Sequence, residues 1–307
     1  MKKLSKESFR GVSENMKKYA RPLEAAIFDL YFHNGDVEKV LCELKKFQNE
    51  DGGFGHGVES DIRLPYSSPM ATSVGLRHLS KIDSLEEARE MIKKAISYLE
   101  YSYDKERNGW FSVSKEVNNF PHAPWWHYNE EENMTIIDKN WGNPSAEIIA
   151  CLYKYREYVK TLKVDDLIEF AIKHIEDKEN FNSEHEIFCY IELYEVLPIE
   201  LKQRLEKRIS IAIEQVIIYD ERKWQEYIPK PLDFVESPRN CKFEIKESKI
   251  ENNLDFIIKE LEGEEKINPS WGESIYIDEL KPAYNEWIGA ITLNSLITLN
   301  NYERIEK

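Results

Sequence analysis

The sequence predicts an all-α protein built from repeated pairs of helices, one amphipathic and the other apolar on several sides. Three observations carry that expectation. Apolar residues recur at i, i+3, i+4 and i+7 in several separate stretches, with charged residues opposite. The segments that follow are apolar on more than one side, as helices enclosed by neighbours must be. Between them stand turns of one kind, and the organising example is Phe47 to Leu79, FQNEDGGFGHGVESDIRLPYSSPMATSVGLRHL, a glycine-rich turn and polar loop between two helical patterns.

Taken in order, Arg21-Pro22-Leu23 opens a helix through Ala25, Ala26, Ile27, Leu30 and Tyr31 whose apolar residues suit an inner position. Asn34-Gly35-Asp36 ends it and caps an outer helix at 37 to 48, where Val37, Val40, Leu41, Leu44 and Phe47 share one face. Ser68 and Pro69 then supply the N-cap and first helical residue of an inner helix through Ala71, Val74, Leu76 and Leu79. The next outer helix carries Ala88, Met91, Ile92, Ala95, Ile96 and Leu99 on one stripe, with Glu86, Glu87, Glu90, Lys93 and Lys94 on its solvated face.

Asn108-Gly109-Trp110-Phe111 repeats the turn, and Asn143-Pro144-Ser145-Ala146 repeats the inner-helix start, with a much longer loop between them. The aromatic content of that loop argues against disorder. Val164, Leu167, Ile168, Ala171, Ile172 and Ile175 form another outer helix, and Asn182-Ser183 caps an inner helix through Ile187, Cys189, Ile191, Leu193 and Val196. Leu205, Ile209, Ala212, Ile213, Val216 and Ile217 form the next outer stripe. The stretch KWQEYIPKPLDFVESPRNCKF after it has three prolines and no clear inner helix. The pattern recovers with Ile250, Leu254, Ile257, Ile258 and Leu261, then Asn268-Pro269-Ser270-Trp271-Gly272, then Asn285-Glu286-Trp287 leading into a last inner helix. Periodicity thus gives about ten helices, five outer and five inner, or eleven to twelve if residues 228–248 hold another pair.

The DGGFG turn, with its loop, Ser-Pro start and small-residue helix, resembles the repeat of the terpenoid cyclase and protein prenyltransferase superfamily. Asn268-Pro269-Ser270-Trp271-Gly272 is similar to the tryptophan-glycine turns of its squalene cyclase branch, and partial repeats extend the resemblance over most of the chain. The resemblance implies an α/α toroid of about five to six hairpins. A helix pair of this period cannot bury its own apolar face, so stacking round a ring supplies the core. The long loops all join an outer helix to the following inner one, and in an up-down ring they emerge at one end. No Pro/Gly/Ser-rich linker divides the chain, so residues 1–307 are read as one domain.

A net charge of −15 argues against nucleic acid or an anionic membrane surface as the main partner. Cys42, Cys151, Cys189 and Cys241 lack CxxC spacing and read as reduced, mostly buried thiols. The basic N-terminus has no apolar core of a signal peptide, and no apolar run is long enough for a transmembrane segment. The expected compartment is the cytoplasm.

Candidate functional residues gather in the loops and at inner-helix starts. Glu59, Asp61, Glu147 and Glu286 are the candidate acid-base carboxylates, with Glu59 and Asp61 placed on one side of an extended loop. His56, Arg63, His122, Trp125, Trp126 and Trp287 are the candidate ligand-binding groups, since aromatic rings stack on sugars or stabilise cations. Trp110, Trp141 and Trp271 sit in repeat turns and read as packing. No cofactor or metal is expected: His56-x-x-Glu59-x-Asp61 and Glu184-His185-Glu186 lack zinc spacing. The resemblance supplies none either, because residues 268–299 have no Cys or His for a prenyltransferase zinc triad, and the DxDD string of terpene cyclases is absent. The resulting expectation is an acid-base, aromatic-lined pocket at the loop end, acting on a neutral small or oligomeric ligand, isoprenoid or carbohydrate-like. The alternative is a non-catalytic binding or scaffold protein that keeps the ring.

Overall fold

In a computed structural model, which describes residues 1–306, the protein is all-α. Twelve α-helices and six short 3-10 turns follow one another, and the described residues contain only isolated β-bridges. The helices are α1 (Lys6–Tyr19), α2 (Pro22–Phe32), α3 (Val37–Lys45), α4 (Pro69–Leu79), α5 (Glu86–Tyr101), α6 (Gly142–Lys154), α7 (Val164–Asp177), α8 (Glu184–Val196), α9 (Ile199–Val216), α10 (Pro231–Phe234), α11 (Glu247–Glu264) and α12 (Lys281–Asn301). No helix among the described residues is long and apolar enough to cross a membrane.

The ten helices read from periodicity are all present, and two more join them. Helix α1 was hidden because its few apolar residues, of which Val12 and Met16 are buried, are set in a lysine-rich stretch; Ser5 caps it by accepting from the Ser8 amide. Helix α10 is a single turn in the proline-rich stretch, held where the Leu232 amide donates to Asn253 Oδ1 at 2.9 Å. Helix α12 starts at Lys281, with Pro282 in its first turn, so Glu286 stands in the second turn rather than at the helix start.

The chain forms two compact units, a central one of Leu41–Gln215 and a terminal one of Met1–Val40 with Val216–Lys307. In the central unit α4 packs on α6 and α6 on α8, while α5 packs against α4 and α6, and α7 against α6. The alternation follows from composition. Helices α5 and α7 bury one stripe each, Ala88 to Leu99 and Val164 to Ile175, whereas α4 buries every residue from Pro69 to Leu76. In the terminal unit α12 packs on α1 and α2, and α11 on α1 and α10. There Leu4 donates its amide to the Arg304 carbonyl at 2.8 Å, and the buried Arg304 guanidinium bonds to Glu251 and Asp255.

The repeated turn has a structural basis. Phe54 is fully buried; its amide donates to Thr72 Oγ1 at 3.0 Å and its carbonyl accepts from the Ser68 amide. Trp110 occupies the matching place, its amide donating to Ser145 Oγ at 3.0 Å and its indole N–H to the Leu99 carbonyl at 2.8 Å. Ser68 caps α4 through the Ala71 amide, and Asn143 is extended before the helical part of α6 as Ser68 is before α4. Gly52 at φ 90 and Asn108 at φ 51 both take the left-handed turn that brings the aromatic inward.

All four cysteines are free thiols, but only Cys189 is fully buried and Cys42 is exposed. Cys42 lies off the Val40, Leu41 and Leu44 stripe of the short helix α3.

The Phe54 ring lies on Gly75, where an added Cβ would come within 2.5 Å of it. Gly75→Val is expected to destabilise the protein by about 1–3 kcal/mol through overpacking, read as a lower urea midpoint with native-like circular dichroism.

Candidate functional site

Within the central unit the first and second long loops are joined at one place. Ile62 bridges to His122, the Arg63 amide donates to the Pro121 carbonyl at 2.9 Å, and the Ala123 amide donates to the Asp61 carbonyl at 3.0 Å. Five of the expected site residues, Asp61, Arg63, His122, Trp125 and Trp126, are therefore neighbours along this seam. Their engagement differs from the expectation. Asp61 is 1% exposed and its Oδ1 accepts from the Trp126 indole N–H at 2.8 Å, while Trp126 is itself buried. Glu59 and Asp61 do not share an extended strand, because the Ile62 amide donates back to the Glu59 carbonyl and closes a turn. The turn leaves Glu59 half-buried and drives Asp61 inward. His56 is exposed in a left-handed conformation, φ 55, and its Nε2–H donates to Asn49 Oδ1 at 2.8 Å. Arg63 is half-buried with its guanidinium beside Gly57.

Glu147 belongs to a second group, on the inner helices. It is 4% exposed and accepts a bidentate pair from Arg77 of α4, at 2.8 and 2.9 Å. Glu147 holds the Arg77 pKa well above its ordinary value, outweighing burial, and Glu192 adds to the rise. On α6, Asn143, Glu147 and Cys151 follow at i, i+4 and i+8; on α8, His185, Cys189 and Glu192 follow at i, i+4 and i+7. The Cys189 thiol reaches Asn143 Oδ1 at 3.8 Å, joining the two stripes. Burial pushes the Cys189 and Cys151 thiols up, so neither is a thiolate nucleophile at neutral pH.

The group is partly open to water. The Arg77 side chain is 48% accessible and that of His185 47%. Surrounding protein is still the largest influence on His185, lowering its pKa, partly offset by Glu184 and reinforced by Arg77. His185 is accordingly a neutral imidazole at pH 7, able to accept a proton.

Arg77 and the α8 stripe were not singled out from sequence, although a signal was present. Helices α6 and α8 are apolar on most sides, so polar residues recurring at i, i+4 and i+7 on them mark a face whose contacts are polar. The neighbouring Glu186, by contrast, is structural: 1% exposed, it accepts from the Gly142 amide at 3.0 Å and pairs with Lys178. Glu184 lies 3.8 Å from His185 while Glu186 is turned to other partners, and no cluster of three or more metal-ligating side chains occurs among the described residues.

Glu286 and Trp287 lie in the terminal unit. Glu286 Oε2 is 3.9 Å from Arg21 Nη1, and Arg21 also pairs with Glu24 of α2. Trp287 meets Trp271 edge to face at 5.4 Å, and Trp271 meets Tyr227 at 5.3 Å. Trp110 and Trp141 are buried, the Trp141 indole donating to the Arg107 carbonyl, so both pack the turns as their positions suggested.

No protein-family model, curated protein or solved structure matches the chain.

Two outcomes follow from this geometry. Trp126→Phe removes the indole donor to the buried Asp61 Oδ1 and is expected to cost about 1–3 kcal/mol, read by chemical denaturation. His185 and His174 both have pKa values lowered, burial being the main cause. The unfolded chain therefore takes up protons first, near pH about 6.5, and stability present above that pH is lost as pH falls toward the folded values. His185→Gln is expected to reduce the fall in urea midpoint between pH 7 and 5.

Proposed function

We propose that this chain is an α/α toroid of the terpenoid cyclase and prenyltransferase kind, about five to six hairpins round, acting in the cytoplasm. Its inner helices bind a small neutral ligand rich in hydroxyl groups, of carbohydrate type. The alternation of one-sided and enclosed helices, and the successive packing of α4, α6 and α8, support the ring.

The Arg77–Glu147 pair carries the ligand reading. A guanidinium clamped by a buried carboxylate is fixed in orientation, and its accessible half offers N–H donors to a ligand. Hydroxyl groups can accept from those donors while donating to Glu192 or to the neutral His185. A bare hydrocarbon chain would desolvate these charges without replacing their partners. A diphosphate is disfavoured because Glu147 already balances Arg77 and Glu192 adds negative charge. If the ligand is turned over, His185 is the group suited to take a proton from a hydroxyl. The engagement of Asp61 by Trp126 and of Glu147 by Arg77 favours a second reading, a binding protein without catalysis.

The test is a thermal-shift and calorimetric screen of the pure protein against mono- and oligosaccharides and prenyl diphosphates. Saccharide binding that raises the melting temperature and weakens tenfold or more in Arg77→Met is the expected result. A response to prenyl diphosphates alone overturns the neutral-ligand reading, and product formation from a bound saccharide separates enzyme from binding protein.

A further inference from the structure

The second long loop also holds a pair of histidines. His122 Nε2 lies 3.2 Å from His127 Nδ1, with the rings nearly parallel at 16° and centroids 5.4 Å apart. The two side chains are aimed at each other by backbone that is fixed on both sides. Residue 122 is bridged to Ile62, and the Asn118 side chain both accepts from the Tyr128 amide and donates to the Tyr128 carbonyl, each at 2.9 Å. Between them Trp126 is anchored to Asp61.

The protonation pattern is also set. The Phe120 carbonyl can only accept, so the 2.7 Å contact places a proton on His122 Nδ1 and leaves a lone pair on Nε2. An imidazole whose far nitrogen donates to a backbone carbonyl is held in one orientation, as metal-binding histidines are. His127 is exposed, so its proton exchanges through solvent and can sit on Nε2, freeing Nδ1.

We propose that His122 Nε2 and His127 Nδ1 chelate a divalent first-row cation of the zinc class. Two imidazole nitrogens bound to one such ion at about 2.0–2.1 Å, in adjacent positions, stand about 2.9–3.4 Å apart; the observed separation is 3.2 Å, and because the two nitrogens face each other, a turn of the exposed His127 ring brings both lone pairs onto one ion. Imidazole suits zinc, copper and nickel over magnesium or calcium. With two protein ligands the remaining positions are filled by water, so the ion is exchangeable and open to a further ligand.

The test is isothermal titration of zinc chloride into the chelator-treated full chain, with circular dichroism confirming the fold of each variant. One site is expected, weakened tenfold or more in His122→Ala and in His127→Gln, and unchanged in His33→Ala, whose side chain bonds to Asp29 elsewhere. His127 is exposed, so its substitution leaves the fold intact even if His122→Ala does not. Absence of zinc binding in the wild-type chain, or equal binding in His127→Gln, overturns the proposal.

Discussion

A carboxylate on an enclosed helix has to be neutralised by a neighbour, and that requirement fixes how the inner helices of the central unit meet. Removing one partner of a buried pair leaves an uncompensated charge, which costs far more than the pair contributes. Glu147 on α6 is answered from α4 by Arg77; Glu186 on α8 is answered by Lys178 and by the first amide of α6. Because both carboxylates take specific donors, α4, α6 and α8 cannot slide against one another without breaking a charged hydrogen bond. The apolar surfaces give the helices a reason to associate; these contacts select the register.

The one-sided helices need no such devices. Helices α5 and α7 have one buried stripe and a solvated face, so their apolar period alone determines which side turns inward. The turns between the layers use the backbone instead. Phe54 and Trp110 bring an amide to a hydroxyl near the start of the next inner helix, and the aromatic ring fills the angle between the layers. Glycine at 53 and 109 is common to both turns, and the left-handed residue before it is Gly52 in one and Asn108 in the other.

These differences explain what could be read from the residues alone. One-sided helices were legible to within a turn because burial and sequence period report the same face. Ser68-Pro69 was legible because an N-cap is a local interaction. Helix α1 was not, since its burial comes from α12 and α11, far away in sequence, and only two of its apolar residues are enclosed. The site was half legible. Carboxylates at loops and helix starts were found, but whether a carboxylate faces solvent or an indole depends on a contact 65 residues away, as with Asp61 and Trp126. Arg77 escaped because a single arginine near a helix end looks like a solvated terminus until its partner at Glu147 is known.

The charge around Arg77 then bears on the charge of the whole. A surface carrying −15 repels anions before they reach any site, and a wall holding one guanidinium against Glu147 and Glu192 does nothing to reverse that repulsion. An anion-binding site in such a protein would need surplus positive charge, and Arg77 is instead spent on holding Glu147. What remains to a ligand is directional hydrogen bonding from a fixed guanidinium, a carboxylate and a neutral imidazole. Those groups discriminate by position rather than by charge, because a hydroxyl misplaced by an ångström leaves a desolvated donor or acceptor unmatched. The pairing that fixes α4 against α6 is therefore the same pairing that fixes where the Arg77 and Glu147 polar atoms stand.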